Sequence, residues 1–278
     1  MEELKYSFSK LAVKTNLGKK RDINEDSVAT LRAMRAQNTP DFCQLLAVAD
    51  GMGGHSKGEI ASSMAINNLF SEIVKGWQSS HNSFDSDSAI ELVESAYRTV
   101  NDLIYSMSQT EQYKGMGTTL VAFVNLLNIT SSYHIVSNVG DSRCYIMDDE
   151  KITQLTRDDS EVQDMIDRKE ISLLQARTHP HKNRITNAVG VYSKENFKPT
   201  VQLIDLAKHV DLKSKKIYVV LCSDGLHSVV FDREIFNEVI KNKSVSEAAN
   251  RLIEMANERG GPDNISVIIG RIMPGRLS

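Results

Sequence analysis

Apolar positions along this chain recur with two periods, and the period switches several times. Phe8 to Val13, Ser27 to Leu31 and Cys43 to Ala49 are short runs rich in apolar or β-branched residues, bounded by Gly, Asn and Asp, which predicts strands. From Gly58 to Lys75, Ile60, Met64, Ile66, Leu69, Phe70 and Ile73 fall about one helical turn apart, which predicts a helix with a core face. Ser79 to Ser88 is rich in Ser, Asp and Asn and predicts a loop. Ser88 and Glu91 then have capping-box spacing, opening a helix over Ala89 to Met107.

The pattern returns to short runs at Thr118 to Asn125, Ile129 to Val139, Cys144 to Met147 and Ile152 to Leu155, separated by turn residues, as in antiparallel hairpins. Ser160 to Ala176 predicts a helix, and Thr178 to Val191, with its His, Pro, Asn and Gly, predicts irregular chain. Val201 to Leu206, Ile217 to Cys222 and Ile265 to Ile272 predict strands; Phe231 to Lys241 and Ser246 to Glu258 predict helices. Blocks of strands with helix pairs between them imply an antiparallel α+β fold. Two sheets packed face to face with helix pairs outside would bury the apolar faces of both element types.

Composition narrows the class. The chain has 278 residues, 41% hydrophobic, enough for one large domain or two small ones, and its net charge of -3 carries no nucleic-acid footprint. The N-terminal residues lack signal-peptide order and no apolar run is long enough to span a bilayer, so a cytoplasmic protein without membrane or nucleic-acid partners, most simply a monomer, is expected. The cysteines, Cys43, Cys144 and Cys222, lie far apart in strand-like runs and read as core residues. Trp77 reads as cover for a helix end.

The candidate chemistry lies in acidic turns. Arg21-Asp22-Ile23-Asn24-Glu25-Asp26, Asp50-Gly51-Met52-Gly53-Gly54, Ser223-Asp224-Gly225 and Gly261-Pro262-Asp263-Asn264 each adjoin a predicted strand. Carboxylates delivered to tight turns by strand ends suit Mg²⁺ or Mn²⁺, which take oxygen ligands, and glycine lets a backbone carbonyl approach an ion. Any single Asp-Gly is an ordinary turn; the ordered set is informative.

That set also includes Gly115-Met116-Gly117-Thr118-Thr119 and Val139-Gly140-Asp141-Ser142-Arg143. In this order the motifs resemble the metal-dependent serine/threonine phosphatases of the protein phosphatase 2C type, bacterial branch, from about residue 10 to residue 270. The resemblance implies one catalytic domain over residues 1–278, a central antiparallel β-sandwich flanked by helix pairs on both faces (αββα), with a flap near 156–190. It implies hydrolysis of phosphoserine and phosphothreonine on proteins phosphorylated by serine/threonine kinases, using two Mn²⁺ or Mg²⁺ ions and a water they activate. By the same resemblance Asp50 bridges the ions, the Gly51 carbonyl binds one, Asp224 and Asp263 hold one, and Glu25 and Asp26 serve the other directly or through water. Asp141 matches the holder of a third, weaker ion, and Arg21 matches the arginine that grips the substrate phosphate. A planar guanidinium binds two phosphate oxygens at once, which lysine cannot do. Gly117-Thr118-Thr119 reads as a strand start packed close to the site, without a catalytic role.

Two departures and one open reading stand out. Met52 occupies the place where eukaryotic relatives often carry a proton-donating histidine, which leaves His55 or a bound water as alternatives. Asp159 and Glu170 replace the His and Gly of many relatives, adding negative charge to the flap. His179, His181, Lys182 and Arg184 are either a contact for an anionic substrate or a solvated loop. A silent phosphoprotein-binding module, or an enzyme acting on small phosphate esters, are the rival readings of the same motifs.

Overall fold

Strand β3 (Phe42–Met52) explains why two sheets form. Alternate side chains of a strand point to opposite faces. Cys43, Leu45, Ala47 and Ala49 join a core with helices, while Leu46 and Val48 join a second core against another sheet. Strand β10 (Ile217–Cys222) divides the same way. Val219 and Leu221 face the inter-sheet core, and Tyr218, Val220 and Cys222 face a third core beneath other helices. Three cores separate four layers.

The computed structural model describes residues 5–35, 41–53, 57–80, 85–127, 131–214 and 216–275. One antiparallel sheet has the order β1 (Lys5–Asn16), β11 (Ile265–Gly275), β10, β7 (Arg143–Met147), β8 (Ile152–Gln154). The other runs β2 (Asp26–Met34), β3, β5 (Leu120–Leu127), β6 (Ser132–Val139), β9 (Thr200–Leu203), also antiparallel, with the short β4 (Gly117–Thr118) pairing β3. Helices α1 (Gly58–Ser79) and α2 (Ser86–Ser108) cover the second sheet; α7 (Asp232–Lys241) and α8 (Val245–Glu258) cover the first. Phe123 lies fully buried between the sheets, edge-on to Phe8 with centroids 5.6 Å apart. Truncating such a side chain to Ala costs roughly 3–5 kcal/mol, because the interior cannot close over the void. All three cysteines are buried and free, as expected.

The departures from the expected elements are local. Helix α2 starts at Ser86, not Ala89: the Asp85 carboxylate accepts from the Ser88 amide at 2.8 Å, so Asp85 is the cap. The single helix expected over 160–176 is two, α3 (Glu161–Asp167) and α4 (Leu173–Ala176), broken where Lys169 takes φ of 61°. The strand expected from Thr118 is interrupted at Thr119. Short helices α5 (Leu206–His209) and α6 (Asp224–His227) carry too few residues to show periodicity. Met64 and Phe70 pack in the α1–α2 core, and Trp77 is buried within α1.

Every acidic motif falls where strands of both sheets terminate. Asp26 opens β2, Asp50 lies near the end of β3, Asp141 follows β6, Asp224 follows β10, and Asp263 precedes β11.

Candidate active site

Asp26 and Asp50 are directly opposed partners in the β2–β3 ladder. Like charges at that position repel, so the pairing is costly unless something else balances it. The Ser223 hydroxyl donates to Asp26 Oδ2 at 2.7 Å, and the Ser266 amide donates to that hydroxyl at 3.0 Å, tying the pair to β10 and β11. The Asp50 backbone is held by its neighbours: its N–H donates to Thr119 Oγ1 at 2.9 Å, and its carbonyl accepts from the Thr118 hydroxyl and the Thr119 amide, each at 2.9 Å. Thr119 Oγ1 also lies 2.7 Å from Ser142 Oγ, linking Asp50 to the Asp141 turn. The Gly-Thr-Thr segment therefore acts on the site by positioning it.

Gly51 has no room for a side chain. A Cβ there would come within 2.1 Å of the Gly58 carbonyl oxygen and 2.6 Å of that of Glu25. Its N–H donates to the Glu25 carbonyl at 3.1 Å, and Glu25 Oε1 accepts from the Gly58 amide at 3.3 Å, at the start of α1. The buried Asn264 holds the facing loop. Its Oδ1 accepts from the Glu25 amide at 2.8 Å, and its amide group donates to the carbonyls of Leu17 at 2.9 Å and Ile23 at 3.0 Å. The motif around Asp263 contained this residue, but a side-chain amide has no signature in sequence that separates a clamp from a turn.

Asp224 starts α6 beside the Asp263 turn, where a Cβ on Gly225 would meet the Asn264 carbonyl oxygen at 1.9 Å. Its carboxyl reaches that of Asp50. Arg21, exposed on the loop before β2, donates to Asp263 Oδ2 at 2.8 Å. The electrostatics follow from this convergence. Desolvation and then the neighbouring Asp26, Asp224, Asp141 and Asp263 charges hold the Asp50 carboxyl well above the usual range. Burial, opposed by the hydroxyls of Ser266 and Ser223, pushes Asp26 up to about 7. Asp224 is raised by burial and by Asp263, Asp141 by burial and by Asp224, and Glu25 by burial.

The donors suit hard divalent cations. All are oxygens, Asp26 Oδ1 and Asp224 Oδ1 are buried without a hydrogen-bond partner, and a dication would relieve both that deficit and the mutual repulsion. Among the described residues, no three His, Cys, Asp or Glu side chains already close around one point. The carboxylates are gathered, with one oxygen of Asp263 held by Arg21, and ion binding would draw them into a shell.

Asp141 sits at the other side of this basin. Its carbonyl lies 3.0 Å from Nε2 of the buried His227, and it does not pair with Arg143. Arg143 instead grips Asp158 through contacts of 2.7, 2.9 and 3.0 Å. Asp159 accepts from the Gly140 amide at 3.0 Å and the Asn187 amide at 3.2 Å, pinning the Asp141 turn to the flap base. His181 and Arg184 engage Glu161 at 2.9 and 3.5 Å, while Glu170 pairs with Arg168 on the surface. His55 lies outside the described residues.

Comparison with known proteins gives the family of the chain. Residues 19–266 match the family profile described as protein phosphatase 2C. The chain belongs to the protein phosphatase 2C family. A serine/threonine phosphatase stp of Listeria monocytogenes is 34% identical over 92% of this chain and 93% of its own. The crystal structure of serine/threonine phosphatase Stp1 from Staphylococcus aureus superposes with a TM-score of 0.80 at 29% identity, covering 98% of this chain and 97% of that one. The catalytic domain of serine/threonine protein phosphatase PstP, solved with two manganese ions, gives 0.73 at 31% identity, covering 95% and 98%. Membership makes this chain a protein phosphatase, and the four-layer sandwich is that family's fold.

Proposed function

We propose that this protein phosphatase 2C member hydrolyses phosphoserine and phosphothreonine on proteins with the help of divalent cations, reversing the work of serine/threonine kinases in the cytoplasm. The observation that carries the reading is the gathering of Asp26, Asp50, Asp224 and Asp263 beneath an exposed arginine, with two buried carboxylate oxygens left unpartnered. Among the described residues no helix is long and apolar enough to cross a membrane.

In this reading Asp50 would be shared by two Mn²⁺ or Mg²⁺ ions, with the Gly51 carbonyl, Asp224 and Asp263 on one and Glu25 and Asp26 serving the other; Asp141 would hold a third. The bound ions would supply charge neutralisation for the phosphate dianion and acidify a water. The rest is done by the chain. Arg21 orients the phosphate through paired N–H donors once it exchanges Asp263 for substrate. Thr118, Thr119, Ser223 and Asn264 keep the carboxylates from drifting apart, so the electrostatic environment is organised before substrate arrives. Met52 has no proton to give.

The test is phosphate release from a phosphothreonine peptide with Mn²⁺, compared with a small aryl phosphate. Release should vanish on chelation and in Asp50→Asn. A wild type that binds the peptide but never releases phosphate would point to the silent module; turnover confined to the aryl phosphate would point to small esters.

A further inference from the structure

The three most exposed large hydrophobic side chains among the described residues are Leu174 at 72%, Leu173 at 71% and Phe231 at 46%. All line one cleft of about 490 Å³, which runs between the flap helices α3 and α4 and the start of α7. Nothing in local folding requires this exposure. Leu173 and Leu174 occupy the first positions of α4, where the Ser172–Gln175 capping box already sets the helix and any residue would serve. Bare leucine pairs on a surface mark a contact when they are clustered, as here.

The cleft has a charge pattern as well. The Arg177 guanidinium lies 4.0 Å from the Phe231 ring centroid and donates to the Ser228 carbonyl at 3.1 Å, which fixes a cation across the cleft. The carboxylates nearby are already committed: Asp158 to Arg143, and Asp232 to Arg143 and the Tyr145 hydroxyl. Among the described residues, Arg177 makes no ion pair. Asp141 and Asp224 also line the cleft, so it adjoins the carboxylate basin. A polypeptide whose phosphorylated residue lies in that basin has this cleft as its adjoining channel.

We infer that the cleft between the flap and α7 is a docking channel for the substrate polypeptide beside its phosphoresidue, taking a large apolar side chain on Leu173, Leu174 and Phe231 and an acidic side chain on Arg177. The inference rests on the phosphatase reading above. The apolar contact raises affinity by removing surface from water on both partners. The arginine, stacked and anchored, presents its remaining donors at little entropic cost.

The experiment uses the whole chain with saturating Mn²⁺ and phosphothreonine peptides in which one Leu and one Glu are moved position by position on both sides of the phosphoresidue. The wild type should prefer peptides with Leu and Glu at particular positions over all-Ala-flanked ones. The double variant L173S/L174S should raise KM for the Leu peptides about tenfold, leaving kcat and aryl phosphate turnover unchanged. Arg177→Gln should abolish the preference for Glu and leave that for Leu. Equal kinetics on all peptides, or variant losses matched on the aryl phosphate, would overturn the docking channel while leaving the phosphatase reading intact. So would a concentration-dependent dimer that the leucine variants dissolve without changing peptide kinetics. Absence of aryl phosphate and peptide turnover in the wild type would instead sink the phosphatase reading. The channel would then be judged by fluorescence anisotropy of the same peptides, where no loss of binding in L173S/L174S overturns it.

Discussion

Two acidic neighbourhoods meet near Asp141, and they are built on opposite principles. Around Asp158, the carboxylate faces an arginine through several short contacts and a glutamine, Gln154, at 3.0 Å. Around Asp50, five carboxyls face one another, and among the described residues the one ion pair that any of them makes is that of Asp263 with Arg21, at the rim. The first arrangement satisfies its charges and stiffens the flap base. The second leaves four of its five carboxyls without an ion pair among the described residues, a cost a fold tolerates where an outside cation completes the structure. Acidity alone does not distinguish a site from a strut; the presence of an internal partner does.

The contrast can be broken most sharply at Asp50. Asp50→Asn should reduce kcat on a phosphothreonine peptide by roughly a thousandfold or more, since a charge aimed at the reacting centre is lost. Its melting temperature under chelation should nonetheless equal or exceed the wild type's, because repulsion is relieved. Arg143→Met should do the reverse for stability. Leaving Asp158 buried without its cation should cost roughly 3–5 kcal/mol in urea unfolding. A D50N protein that unfolds as readily as R143M would erase the distinction.

Asn264→Ala tests whether the basin depends on its clamp. Losing the bonds to Glu25, Leu17 and Ile23 should weaken Mn²⁺ binding roughly 10–100-fold by calorimetry, as for other residues that orient ligands. The basin should also impose a pH signature. Folded Asp26 keeps its proton up to about pH 7, whereas the unfolded chain loses it near 3.8. The folded state thus holds more protons in that window, so its stability is fully present below it and declines as pH rises to about 7. With chelator, the melting temperature should fall between about pH 5 and pH 7.5, and Mn²⁺ should remove the difference. The smallest effect belongs to the exposed flap pairs. Arg157→Ala, which releases Asp164 and Asp167, should cost less than about 1 kcal/mol, most of it screened by solvent.

Much of the sandwich was legible because its strands are buried on one or both faces, and burial writes a period into the residues. Ile217–Cys222 was bounded correctly from its apolar run alone, and the α1 face appeared in the spacing of Ile66, Leu69 and Ile73. The acidic turns were legible as a family pattern. Less visible were features set by one hydrogen bond or one dihedral. The Asp85 cap displaced a plausible Ser88, and Lys169 broke a helix whose apolar spacing ran on.

By itself the sequence determined which faces must be covered and which turns are acidic, since transfer from water and turn chemistry depend on residue type and spacing. Only the tertiary structure decided which charges share a space. Arg143 could have answered Asp141 two residues away, and instead answers Asp158 across the flap base. Arg21 and Asp263, far apart in the chain, touch. Electrostatic energy depends on separation and on the surrounding medium, and chain order encodes neither until the strands of two sheets end at one place.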